Sequence, residues 1–189
     1  MFYKINYFTK KECKEIITLH KTYKDYGFRQ EWYKDTYDIN NRIKIKSTAN
    51  FQAYLIPNTI YTKWIYDKIH TFFEENTGIK IIKPLMNCQL YKYTIGDVFP
   101  KHIDLIDKFP NRRWNLGVNL NEDYEGGEYL CWKGMVEDET AQIIPKSTGT
   151  MCVYHSKQLH EIKKITKGER WSLVIKVESD YINEKKELF

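Results

Sequence analysis

The sequence predicts a mainly-β α+β fold, in which N-terminal helices support a jelly roll, or double-stranded β-helix, of about eight antiparallel strands. Three observations carry that expectation. From residue 79 onward, short apolar runs alternate with Gly, Pro, Asn and Asp clusters, as in antiparallel sheets joined by tight turns. Before residue 79, two stretches carry helical periodicity instead. Fifteen Tyr and nine Phe among 189 residues favour strands and the walls of concave sites.

The first helix is expected from Thr9 to Tyr23. Thr9 can cap it, Glu12 stands where a capping box needs an acid, and Cys13, Ile16, Ile17 and Leu19 supply an apolar face. Residues 28 to 57 alternate around Arg42–Lys46 and Phe51–Ile56, so they read as strands divided by a polar loop at Ser47–Asn50. A second helix is expected from Asn58 to Asn76, with Ile60, Trp64, Ile65, Ile69, Phe72 and Phe73 forming its stripe and Asn76-Thr-Gly ending it. Strands follow near 86–93, 99–104, 112–120, 127–132, 141–145, 149–154, 158–163 and 169–178. No Pro- or Gly-rich linker or repeat divides the chain, so residues 1–189 read as one domain, with support and accessory strands in 1–78 and the jelly-roll core in 79–180.

Composition narrows the function classes. Lys and Arg exceed Asp and Glu by 30 to 25, for a net charge of +5, well short of a dedicated nucleic-acid binder. Hydrophobic residues make up 42%, too many for a disordered chain. Cys13, Cys88, Cys131 and Cys152 form no CxxC pair, which suits reduced thiols rather than a zinc knuckle or a disulfide framework. With no signal-peptide pattern at the start and no long apolar run, the expected location is the cytoplasm, or a host cytoplasm for a phage or viral gene, with no membrane partner.

The chemistry lies in the second half. His102 and Asp104 are two residues apart in Phe99-Pro-Lys-His-Ile-Asp, so an extended strand points both to one face. A distant imidazole would complete the two-His-one-carboxylate set that holds non-haem Fe(II) and leaves positions open. His160 is the candidate, with His155 as the rival, and zinc is the alternative metal for such a set. Ten residues after His160, Arg170 opens the Arg-Trp-Ser-Leu-Val-Ile run and could grip a carboxylate with its two-pronged guanidinium. Tyr91 and Tyr93 share a face of the strand before the pair. His20 and His70 fall on helices as surface or packing residues, Trp114, Trp132 and Trp171 as core, and Lys176 as a solvated strand position or one facing the mouth of the barrel. Gly126-Gly127 reads either as a hairpin bulge or as a close approach to a ligand.

The stretches Tyr93-Thr-Ile-Gly-Asp-Val-Phe-Pro-Lys-His-Ile-Asp, Leu120–Glu128, Gly149–Tyr154, His160-Glu-Ile and Gly168-Glu-Arg-Trp-Ser-Leu occur in one order. In that order they resemble the Fe(II)/2-oxoglutarate dioxygenases, and within them the prolyl 4-hydroxylase-like branch. The resemblance covers roughly residues 86 to 178, about half of the chain. It implies His102, Asp104 and His160 as iron ligands, Arg170 as partner of the distal carboxylate of 2-oxoglutarate, and Tyr93 within reach of that cosubstrate. Tyr91 and Asn119 are further cosubstrate-binding candidates; Asn119 stands where some relatives carry Tyr. The implied cofactors are Fe(II), 2-oxoglutarate and O2, with ascorbate as a reductant, and the products are succinate, CO2 and a hydroxylated substrate. A protein or peptide substrate, with a prolyl residue as the leading case, is the expectation. Nucleic-acid demethylation, small-molecule hydroxylation and a non-catalytic cupin-like binding module are the alternatives; the demethylases usually carry a second Arg where this chain has Lys176. Residues 29–55, with Trp32, Tyr33, Tyr37 and Arg42, are the expected substrate lid.

Overall fold

A computed structural model of the chain describes residues 1–38, 43–81, 87–104, 112–135 and 141–178, with backbone alone at 28–38, 43–50, 87 and 112. In chain order the elements are β1 (Phe2–Lys4), α1 (Lys10–Thr22), β2 (Gly27–Asp38), β3 (Ile43–Pro57), α2 (Lys63–Thr77), β4 (Asn87–Tyr93), β5 (Phe99–His102) and β6 (Arg112–Asn119). There follow β7 (Glu125–Gly126), β8 (Tyr129–Cys131), β9 (Gln142–Ile144), β10 (Met151–His155), β11 (His160–Ile162), β12 (Ile165–Lys167) and β13 (Arg170–Glu178).

The helices start and stop where their local chemistry directs. The Glu12 N–H donates to Thr9 Oγ1 at 3.2 Å and the Thr9 N–H to Glu12 Oε2 at 2.6 Å, closing the expected capping box. Glu12 also meets Lys68 Nζ of α2 at 2.8 Å, so one acid caps α1 and ties the two helices together. The helix α2 begins later than the pattern suggested. Thr62 Oγ1 donates to the Pro57 carbonyl at 2.5 Å and accepts from the Thr59 N–H at 2.9 Å, which holds residues 57–62 in a turn and leaves Ile60 exposed. Gly78, in the left-handed region at φ 68°, ends it.

Two antiparallel sheets face each other. The larger runs β1-β10-β6-β13-β4-β3-β2 and the smaller β5-β11-β8-β9, while β7 and β12 pair separately. Period-two alternation makes the larger sheet two-faced. Leu173, Ile175 and Val177 of β13, Leu116 and Val118 of β6, and Met151 and Val153 of β10 join Ile16 of α1 and Ile65, Ile69, Phe72 and Phe73 of α2 in one core. Each such side chain fully withdrawn from water contributes about 1.5–3 kcal/mol. The opposite faces of β13, β6 and β10, bearing Arg170, Ser172, Val174 and Lys176, Gly117 and Asn119, and Cys152 and Tyr154, turn toward the smaller sheet and line a cavity. This is the mainly-β architecture the strand spacing predicted.

Three segments differ from the expectation. The β3 strand passes through Ser47–Asn50 without a break, because β2 pairs with it from Ile43 to Tyr54. Its Gln52–Pro57 stretch pairs with β4 as well, so the hairpin is a continuation of the larger sheet that outruns β4. The short β1 and β12 were not foreseen, since three residues carry too little periodicity to register. Arg42 lies outside the described residues, as do the side chains of Trp32, Tyr33 and Tyr37.

Candidate metal and cosubstrate site

His102 is the last residue of β5, and the antiparallel register sets His160 of β11 directly opposite it, with ring centroids 4.1 Å apart. Asp104 is not on the strand. The chain leaves β5 after His102, and the Asp104 N–H donates to the Ser156 carbonyl at 2.9 Å, which brings its carboxylate back beside both imidazoles. One Asp104 oxygen, Oδ1, is 3.7 Å from His102 Nε2, and the other, Oδ2, is 3.5 Å from His160 Nε2. Candidate ligand atoms of the three buried residues all fall within 4.8 Å of one another.

The rings are oriented for coordination. His102 Nδ1 is 2.7 Å from the Pro100 carbonyl and His160 Nδ1 is 2.9 Å from the Gln158 carbonyl. A carbonyl only accepts, so each Nδ1 carries a proton and each Nε2 faces Asp104, where a metal would be taken. Phe99 stacks on His102 at 3.8 Å and holds its plane. Burial alone would raise the Asp104 pKa, but the His160 hydrogen bond, the Lys176 ammonium and His102 outweigh it and hold the carboxyl well below the usual carboxylate range. Two imidazoles and one carboxylate are a donor set suited to a divalent iron.

Arg170, 3% exposed, opens β13 opposite Tyr93 of β4. Its Nη1 donates to Ser172 Oγ at 3.0 Å, its guanidinium carbon lies 5.3 Å from the centre of the Tyr93 ring, and its Nε is buried with no partner. Among the described residues no carboxylate pairs with it. A buried cation left in this condition calls for an anionic ligand. One cavity of ≈ 370 Å³ connects Arg170 to Asp104 and His160, walled by Phe51, Tyr91, Tyr93, Tyr129, Ile162 and Val174.

Residues 88–175 match the model of the 2OG-Fe(II) oxygenase superfamily. Over that stretch, just under half of its length, this chain is similar to the 2OG-Fe(II) oxygenases. A PKHD-type hydroxylase of Methylobacterium nodulans is 28% identical over 104 residues, covering 50% of this chain and 42% of its own length. The chain thus spans less than half the length of the curated relatives it matches. A prolyl-4-hydroxylase of Pseudomonas putida superposes with TM-score 0.68 at 14% identity, over 95% of this chain and 92% of that one. A Trichoplax adhaerens prolyl hydroxylase, solved with a hypoxia inducible factor degradation-domain peptide, gives TM-score 0.71 at 12% identity, over 94% and 83%. At those identities the two structures establish the fold alone. The match to the 2OG-Fe(II) oxygenases and the His-Asp-His cluster together imply Fe(II) and 2-oxoglutarate as metal and cosubstrate.

The fold brings His102, Asp104, His160, Arg170, Tyr93, Tyr91 and Asn119 to this one region, while His155 is on the helix-facing side of β10 against Trp114, 5.2 Å between ring centres. The expected candidates are not equal in their freedom. Tyr91 donates to Gln89 Oε1 within the cavity wall. Asn119 is committed locally: its Nδ2 donates to the Asn121 carbonyl at 2.7 Å and to the Lys146 carbonyl, and its Oδ1 accepts from Tyr124 at 3.0 Å. Its task is to hold the cavity's deep wall. The two glycines lie where β7 pairs with β12, as the hairpin reading expects. Each has positive φ, 71° at Gly126 and 66° at Gly127, and a Cβ on Gly127 would lie 3.3 Å from Arg170 Cδ.

Among the lining residues, sequence reasoning left Lys176 open between solvent and the barrel mouth, and missed Lys146 and Thr150. Lys176 Nζ stands 3.2 Å from Asp104 Oδ1 rather than in solvent. Its place was foreshadowed by parity, since residues 170, 172, 174 and 176 of one strand share a face. Lys146, its ammonium 4.0 Å from the centre of the Tyr124 ring, and Thr150, whose buried Oγ1 has no partner, come from loop and strand-edge positions that carry no periodic signal.

Proposed function

We propose that this chain is an Fe(II)- and 2-oxoglutarate-dependent hydroxylase of a protein or peptide, acting on a prolyl residue, with release of succinate and CO2. The observation that carries the reading is one cavity joining a two-His-one-carboxylate cluster to a buried guanidinium that lacks an acid. His102 Nε2, His160 Nε2 and one Asp104 oxygen would hold the metal, and Arg170, steadied by Ser172, would bind the distal carboxylate of the keto acid. The iron and keto acid together supply oxygen activation. The protein contributes the rest: fixed imidazole tautomers, a neutralising cation and aromatic walls that exclude water.

The substrate reading draws support from the prolyl hydroxylases that share the fold and from the hairpin of β2 and β3. At the root of that hairpin Phe51 packs on Tyr91, Tyr93 and Phe99 with ring centres 4.5, 4.9 and 5.2 Å away. The ribbon therefore springs from the cavity wall and suits a lid over an extended peptide.

Anaerobic addition of Fe(II) and 2-oxoglutarate should produce the weak visible band of a chelated keto acid, absent in His102→Ala and Arg170→Ala; a colourless unaltered protein would refute the site. Mass spectrometry of prolyl peptides, with ascorbate present, should show a gain of one oxygen. Loss of a methyl from methylated oligonucleotides instead would replace the peptide reading with nucleic-acid demethylation.

A further inference from the structure

Lys176 is the charged group beside the cluster that the reading above leaves without a task. Its side chain is 23% exposed and that of Asp104 8%, so the 3.2 Å contact is a partly buried ion pair rather than a surface one. It also puts a cation next to a place meant for another cation. A purely structural Lys at this position would weaken metal binding by like-charge repulsion and give nothing back.

The geometry of Asp104 supplies the return. Both of its oxygens front the cluster, Oδ1 at 3.7 Å from His102 Nε2 and Oδ2 at 3.5 Å from His160 Nε2. A carboxylate placed this way can grip a metal with two oxygens instead of one. The open positions that a two-His-one-carboxylate set keeps for the keto acid and for oxygen exist only while the carboxylate takes a single place. The Lys176 ammonium sits on Oδ1.

We propose that Lys176 is a positioning residue: by holding Oδ1 it leaves Oδ2 as the ligand oxygen and keeps a coordination place open for 2-oxoglutarate. The proposal rests on the reading of the cluster as an Fe(II) site. Its anchor is built into the strand, since Val174 and Lys176 extend the cavity face that begins with Arg170 and Ser172. One strand then controls both ends of the cosubstrate, the carboxylate at Arg170 and the metal places at Lys176.

Co(II), which reports coordination number through its visible bands, is the probe. Purified unaltered protein, Lys176→Met and Lys176→Arg are titrated anaerobically, first with Co(II) and then with 2-oxoglutarate. Lys176→Met should bind Co(II) about tenfold more tightly and 2-oxoglutarate about tenfold more weakly. Its Co(II) bands should lose intensity, as expected of a higher coordination number before the keto acid is added. Lys176→Arg should retain all three properties, and Lys176→Leu, which likewise has no donor for Oδ1, carries the same test should the Met variant not fold. Unchanged affinities in Lys176→Met, or a parallel loss of both with a lower melting temperature, would overturn the positioning role. Failure of the unaltered protein to bind Co(II) would overturn the iron reading itself, and this inference with it.

Discussion

Replacing Arg170 with Met should act in opposite directions on the empty and the loaded protein. In the empty state the guanidinium is 3% exposed, has one hydrogen bond to Ser172 and a Tyr93 ring for company, and leaves Nε unpartnered. An unsatisfied buried polar group costs about 1–3 kcal/mol, more when charged, and the cation–π contact returns about 0.5–2. A Met of similar volume should therefore stabilise the empty protein by about 1 kcal/mol, or roughly 2–4 °C in Tm for a chain of this size. In the loaded state the sign reverses. Two charge-assisted bonds to a carboxylate, at about 1.5 kcal/mol each, make the loss about 3 kcal/mol, or roughly 150-fold in affinity. At a concentration 100 times the original Kd, 2-oxoglutarate adds about 2.7 kcal/mol to the unaltered protein and only about 0.3 to the variant. Thermal unfolding with and without 2-oxoglutarate, in the presence of Mn(II), measures both effects. An equal rise in Tm on adding the keto acid to either protein would show that Arg170 does not bind it.

Three further outcomes follow from particular contacts. His160→Ala should lower Co(II) affinity by about 100-fold or more in calorimetry; a retained affinity would remove His160 Nε2, 3.5 Å from Asp104 Oδ2, from the ligand set. Gly127→Ala should destabilise by about 1–3 kcal/mol in urea unfolding, since φ is 66° and the new Cβ would collide with Ile165 and crowd Arg170; a value near zero would contradict the described turn. His155, buried against Trp114 and near Lys157 and Arg113, has its pKa pushed from 6.5 down to about 4, chiefly by burial. A depressed imidazole stays neutral in the fold but takes a proton when unfolded, so its contribution is present above the unfolded pKa and is lost as pH falls from 6.5 toward 4. The Lys157 N–H donates to Nδ1 at 3.2 Å and would lose its acceptor on protonation. Urea unfolding should show about 1–2 kcal/mol less stability at pH 5 than at pH 8, trimmed by solvent screening, and His155→Gln should flatten that slope; an equal slope in both proteins would exclude His155 as its source.

What could be read in advance depended on how local the signal was. The α1 start is written in Thr9 and Glu12 alone, and the capping box appears where those residues place it. The alternation of Leu173, Ile175 and Val177 against Ser172 and Val174 is likewise local and sorts β13 into a core face and a cavity face. The Ser47–Asn50 stretch misled because its polarity resembles a loop, whereas pairing with β2 satisfies its backbone and lets polar residues remain in a strand. The later start of α2 had the same kind of cause: the Thr62 hydroxyl bonds to Pro57 and Thr59 and holds a turn that propensity does not encode.

The metal cluster shows how a correct spacing can succeed through a different geometry. An HxD pair on one strand face would keep its two groups side by side, yet β5 ends at His102 and Asp104 is set by the Ser156 carbonyl, itself just past the end of β10. The place of Lys176 is equally non-local. Its partner lies 72 positions away, so the sequence around Lys176 gives its face through parity with Arg170 but not the acid it meets. Charged residues that keep parity with an assigned ligand along the same strand are therefore the ones to test next, whatever their apparent exposure, because the face they share is fixed by the backbone while their partner is not.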